Sequence, residues 1–221
     1  MALKSSPLPW TFERTLRPGD SAIVAGVDEV GRGCWAGPVY AAAAIIPDGL
    51  RHPHLTDSKQ VPAAQRDELD RFLRAHPEVR WSIGTASVEE IDALNILQAT
   101  LLAMRRAVAG LALPPDLCLV DGRQKAGLPC AERAIIDGDA LCPSIAAASV
   151  IAKVARDRHL FELAALYPGY GFENHKGYGT PKHADALALH GPCLIHRRSF
   201  RPVRDCARAP AGDRRADRAI R

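Results

Sequence analysis

The stretch Ala25-Gly-Val-Asp-Glu-Val-Gly-Arg-Gly33 decides how the rest of the chain reads. A short apolar run, Ile23 to Val27, delivers two adjacent carboxylates, Asp28 and Glu29, into a segment holding one arginine between two glycines. Apolar residues ending in acids describe a buried strand whose carboxyl end carries chemistry, the place where an open α/β sheet gathers ligands. Two anions side by side repel unless a cation neutralises them. Gly31-Arg32-Gly33 lets bare backbone and one guanidinium come close to a phosphate or a sugar. The combination points to a metal-dependent enzyme acting on a phosphate backbone.

Working outward, the pattern predicts further strands over 38–46, 80–87, 116–121 and about 132–137, with the first over 22–28. Helices are expected over about 62–76, opening with Pro62, and about 93–110, where Leu94, Leu97, Leu101, Met104 and Val108 recur at helical spacing. The longest should run from about Ser144 to Leu166. Its first part is small and apolar, suited to close packing on a sheet, and its second carries Lys153, Arg156, Asp157 and Arg158 toward solvent or substrate. A Tyr/Gly-rich segment over 167–180 and a short helix near 181–190 follow. Residues 1–20, with Pro7, Pro9, Pro18 and Gly19, are expected as a flexible lead-in. There is no internal repeat. The order of elements argues a mixed α/β sheet with helices on its faces.

Three strand ends finish in acid: Asp28-Glu29, Asp121 before Gly122, and Asp139 after Asp137-Gly138. Four carboxylates with no histidine or thiol beside them are an all-oxygen, hard-ligand set that prefers Mg2+ or Mn2+ over zinc. Taken alone, Asp121-Gly122 reads as a turn, and Asp137 rivals Asp139. Only the adjacent pair resists that reading, because burying unpaired charge is costly.

The totals narrow the class. The chain has 221 residues and a net charge of +4. Seven arginines against three aspartates between Arg201 and Arg221 account for that excess, so a balanced body carries a basic tail suited to a nucleic-acid partner. Six cysteines without a CxxC, no apolar run of the ~18 residues a membrane span needs, and no signal-peptide layout predict a reduced, cytoplasmic protein without a membrane partner.

The same residues resemble bacterial-type ribonuclease HII. The matching blocks, in order, are GVDEVGRG with AGPV, DSK at 57–59, LVDG at 119–122, GD at 138–139, SIAAASVIAKVARD at 144–157, HKGYGTPKH at 175–183 and HRRSF at 196–200. They cover about residues 23–204. The sister family, ribonuclease HIII, has a different residue where Arg32 stands and an extra N-terminal domain, which favours HII here. The resemblance implies an RNase H-like fold: a central five-stranded mixed sheet flanked by helices, with a small helical C-terminal part. A catalytic domain would then span 21–204, followed by a basic tail over 205–221.

It further implies that Asp28, Glu29, Asp121 and Asp139 are the catalytic and metal-binding acids, holding two Mg2+ or Mn2+ ions. Gly31, Arg32, Gly33, Lys59 and Tyr178 fall on the substrate-binding positions, Tyr178 at the ribose and Lys59 at a phosphate. The position two before Asp139, usually basic in the family, is Asp137 here. The implied activity is hydrolysis of the RNA strand of RNA–DNA hybrids and cutting 5′ of single ribonucleotides embedded in duplex DNA, leaving 5′-phosphate and 3′-hydroxyl ends, by a monomer. Lys153, Arg156, Lys176, Lys182, Arg197 and Arg198 are additional candidate phosphate contacts. His175, His183, His190 and His196 read as packing or phosphate-facing residues with no assigned role. A DNA-directed metal nuclease of related fold, or a non-catalytic binding module, are the alternatives. Arg32 and Tyr178 argue against the first, and the four acids against the second.

Overall fold

A computed structural model describes residues 7–56 and 61–208. The chain runs α1 (Thr11–Leu16), β1 (Val24–Val30), β2 (Val39–Ile45), α2 (Ala63–Ala75), β3 (Arg80–Ala86), α3 (Val88–Leu94), α4 (Ile96–Ala109), β4 (Leu117–Asp121), β5 (Ala131–Ile135), α5 (Pro143–Leu166), α6 (Phe172–His175), α7 (Pro181–His190) and α8 (Arg201–Arg208), with one tight turn of helix at Gly138–Ala140 before α5.

The five strands form one sheet in the order β3-β2-β1-β4-β5. β1 is antiparallel to β2 and parallel to β4, and β4 is parallel to β5, so the sheet is mixed. A strand buried on both faces must be apolar throughout, which is why the run from Val24 to Val27 occupies the centre. The parallel register pairs Val27 with Val120. One step further along each strand come Asp28 and Asp121, which puts two acids at the same level of neighbouring strands.

By contact density the chain divides into two units. Unit one comprises the described residues of 1–30, 40–85 and 100–155, and holds nearly all of the sheet. Its core sets the alanines of β2 and α5 (Ala42, Ala44, Ala146, Ala147, Ala148) among Leu69, Leu73, Val150 and Ile151. Small side chains on both surfaces let helix and sheet approach closely. At Gly26 the approach is such that an added Cβ would lie 2.1 Å from the Ser144 carbonyl carbon.

Unit two comprises 31–39, 86–99 and the described residues from 156 onward. Its core is Ala36, Leu160, Tyr170, Phe172 and Ala186, with the Tyr170 and Phe172 rings stacked at 5.3 Å. Here α7 begins with Pro181 in its first turn, and the Thr180 hydroxyl accepts the His183 N–H at 3.2 Å.

Two expectations change. The helix predicted over 93–110 is two helices, because Asn95 takes a left-handed φ of 72° and its side-chain oxygen accepts the Gln98 N–H, starting α4 afresh. Leu94, counted in the apolar stripe, is exposed. Of the lead-in expected over 1–20, the described residues 7–20 are held in place: α1 lies within them, Trp10 and Glu13 are buried, and the Trp10 indole donates to the Leu50 carbonyl at 3.1 Å.

Candidate active site

The acids gather where the parallel strands end. Asp28 is buried, while Glu29 and Asp121 are half-buried. One carboxylate oxygen from each of the three lies within 4.8 Å of the others. Local geometry explains how neighbours in one strand serve one place: Asp28 Oδ1 turns back along the chain and accepts the Glu29 N–H at 2.7 Å. Asp121 Oδ1 accepts the Gly138 N–H at 2.7 Å, tying the end of β4 to the tight turn that carries Asp139. The approach is close at Gly138, where an added Cβ would lie 2.6 Å from Ile145 Cδ1 and 3.2 Å from Asp121 Oδ1, so a larger residue would make the Ile145 side chain shift.

The two rivals after β5 differ in exposure and backbone conformation. Asp139 is 3 % exposed and its charge reaches Asp28, whereas Asp137 is exposed and has a left-handed φ of 54°. Burial, followed by the charges of Glu29, Asp121 and Asp139, pushes the Asp28 carboxyl well above the usual carboxylate range; a hydrogen bond from Ser149 opposes the shift. Ser149 is a contributor that sequence reasoning missed. Its signal was a hydroxyl in the otherwise apolar run from Ile145 to Ala152. Such a site takes up a proton or a cation. All-oxygen donors at this spacing fit a hard divalent ion such as Mg2+ or Mn2+.

The glycine–arginine–glycine segment and Tyr178 lie together in unit two. Gly31 is buried with φ +94°, and Arg32 and Gly33 are exposed. Cys34 and Tyr178 pair as an isolated antiparallel bridge, and the Trp35 N–H donates to the Gly177 carbonyl at 2.8 Å. Tyr178 keeps 39 % of its surface exposed, while partial burial and the neighbouring Cys34 raise its hydroxyl pKa. Lys59 lies outside the described residues.

The basic candidates divide. Lys182 and Arg198 are exposed, and Lys153 and Lys176 are half-buried. Arg156 and Arg197 are 0 % exposed and donate to backbone carbonyls, with Arg197 Nη2 left without a hydrogen-bond partner among the described residues, so they are not surface phosphate contacts. Sequence reasoning placed them outside because charge usually seeks water. His183 and His196 are buried and bonded ring to ring, Nε2 to Nε2 at 3.0 Å, which is the packing alternative; His190 is exposed.

Comparison with known proteins bears on this arrangement. The profile of the family described as Ribonuclease HII matches residues 25–203. A ribonuclease HII of Bordetella pertussis is 56 % identical over 183 residues, 83 % of this chain and 90 % of that protein. One from Parvibaculum lavamentivorans is 55 % identical over 208 residues, 92 % of this chain and 76 % of that protein. Among solved structures, the ribonuclease H2 from Pyrococcus horikoshii superposes with a TM-score of 0.69 at 28 % identity, covering 83 % of this chain and 96 % of that one.

Proposed function

The chain belongs to the ribonuclease HII family, whose members are RNase H endonucleases acting on RNA–DNA hybrids, and on that premise we propose that it also cuts duplex DNA on the 5′ side of a single embedded ribonucleotide. The observation that carries the reading is the convergence of Asp28, Glu29 and Asp121 oxygens within 4.8 Å, next to a buried Asp139 whose charge reaches Asp28. These four acids would hold two divalent ions, Mg2+ or Mn2+. Such ions would supply positive charge to the scissile phosphate, a lowered pKa for the attacking water and stabilisation of the departing 3′-oxygen.

The chain's own groups do the rest. Asp28 is crowded by the like charges of Glu29, Asp121 and Asp139, so a cation held there would relieve their repulsion. The Gly138 N–H fixes the Asp121 carboxylate, and the Glu29 N–H fixes that of Asp28, so the donors are oriented before substrate arrives. Ribose is marked by its 2′-hydroxyl. Gly31, Arg32 and Gly33 present backbone groups and a guanidinium to it and to the flanking phosphates, Tyr178 offers a phenol and a ring face, and Lys59 contacts a phosphate. Products carry 5′-phosphate and 3′-hydroxyl ends.

No described helix is long and apolar enough to cross a membrane. None of the six cysteines is in a disulfide, which supports a reducing compartment, and we take the protein to act in the cytoplasm as a monomer.

The test is gel mapping of a DNA–rN–DNA strand in duplex, beside an all-DNA duplex, with Mg2+, Mn2+ or EDTA. A single cut 5′ of the ribonucleotide, lost in EDTA, is the expected result. Equal cutting of both duplexes would show a DNA-directed nuclease instead, and binding without cutting a non-catalytic module.

A further inference from the structure

Arg156 and Arg197 are unusual in their surroundings. Both side chains are fully buried, and all the hydrogen bonds they donate among the described residues end on backbone carbonyls. Burying a guanidinium away from water is costly, so the fold must gain something specific from each. Arg156 donates from Nε to Pro38 O at 3.1 Å, from Nη1 to Lys176 O at 2.9 Å and from Nη2 to Ala36 O at 3.1 Å. Its guanidinium carbon is 6.0 Å from the centre of the Tyr178 ring. Arg197 donates from Nε to Gly37 O and from Nη1 to Arg32 O, both at 2.9 Å. The segment carrying Arg197 is anchored in turn, because the Asp92 carboxylate accepts the N–H groups of Arg198 and Ser199, each at 2.9 Å.

We propose that Arg156 and Arg197 are positioning residues that clamp the 31–38 loop and the Tyr178 turn from inside unit two and thereby set the discrimination between ribose and deoxyribose. The inference rests on the reading above that Arg32 and Tyr178 sense the ribose. A planar fork spreads rigid donors over three nitrogens and so holds carbonyls of separate segments at fixed positions, a geometry that the three N–H groups on lysine's one nitrogen do not reproduce. Gly31 completes the fit: a Cβ there would lie 2.2 Å from Arg156 Nε, so the loop rests on the guanidinium only because residue 31 has no side chain.

The test uses the full-length protein with Arg156→Lys and Arg197→Lys, which keep charge but lose the fork. Cutting is measured on duplexes carrying one ribonucleotide or its 2′-fluoro analogue, and Mn2+ binding by calorimetry. Loss of register should lower kcat, shrink the preference for ribose over the analogue by about 10- to 100-fold, and leave Mn2+ affinity unchanged, since the acids belong to unit one. A preference within twofold of the wild type would overturn the inference. If neither lysine variant folds, Gly31→Ala displaces the same loop from the other side and is judged by the same ratio. Arg32→Ala and Tyr178→Phe run in parallel. If these leave the preference intact, the ribose-sensing reading itself fails; if they abolish it while the lysine variants do not, only the clamp fails.

Discussion

Acidification should weaken unit two through His183 and His196, and the size of the effect follows from their wiring. The Cys193 N–H donates to His196 Nδ1 at 3.0 Å, so a neutral His196 carries its proton on Nε2. That proton points at His183 Nε2, 3.0 Å away, leaving His183 to donate from Nδ1 to the Tyr178 carbonyl at 2.9 Å. A further proton on either ring would set two N–H groups against each other. Burial, with His175 stacked 4.4 Å from His183 and Arg198 acting on His196, lowers the pKa of His183 to about 4 and of His196 to about 3.

Both values lie below the 6.5 of an ordinary histidine, so the unfolded chain binds protons first. Stability from the pair is therefore complete above about pH 6.5 and is lost as pH falls from there toward 4 and 3. Between pH 7.5 and pH 5 each ring costs about 2 kcal/mol, and the pair about 4. Asp28 and Glu13, whose pKa values are raised chiefly by burial, shift stability the opposite way, so the raw pH profile mixes signs. Urea unfolding of the wild type and of His183→Gln/His196→Gln at both pH values isolates the pair. The wild type should lose about 4 kcal/mol more than the double variant on acidification. Equal losses, or an imidazole of either residue titrating near 6.5 by NMR in the folded protein, would refute the reasoning.

Two further outcomes are expected. Asp28→Asn keeps an oxygen for the Glu29 N–H but removes a crowded buried charge, so its melting temperature in EDTA should rise, by the equivalent of about 1 kcal/mol, while cutting falls by at least about 1,000-fold. A lower melting temperature with cutting retained would contradict the assignment of this carboxylate. Gly26→Ala should destabilise by about 1–3 kcal/mol in urea because α5 must retreat from β1, whereas Gly19→Ala, with nothing within 4 Å of its added Cβ, should stay within about 0.5 kcal/mol of the parent.

The centre of the sheet was readable because β1 and β4 announce themselves twice, by apolar runs and by the acids that end them. Asp28 and Asp121 follow Val27 and Val120, which pair in the parallel register, so the convergence of these two acids follows from strand order alone. Less was readable where polar residues serve the backbone rather than water. Asn95 sits inside an apolar periodicity and still restarts a helix, because its side chain satisfies an N–H that the period does not register. Arg156 and Arg197 carry charge and suggest solvent, yet both are fully buried in unit two. His183 and His196 lie thirteen positions apart, and a ring-to-ring bond between such residues has no signature in spacing. The difference in exposure between Asp137 and Asp139 comes from the turn itself, where one residue bends the backbone and the other is buried.

The opening helix has a practical bearing on how this enzyme can be shortened or fused. Glu13 accepts the Ser144 N–H at 2.9 Å, at the first turn of α5, while Arg14 grips Asp48 and Trp10 closes over Leu50. Trimming the polypeptide back to its first strand would strip the lid from the hydrophobic interior and uncap the longest helix together. A purification handle is therefore better joined ahead of Pro7 than grafted in place of the residues that follow it.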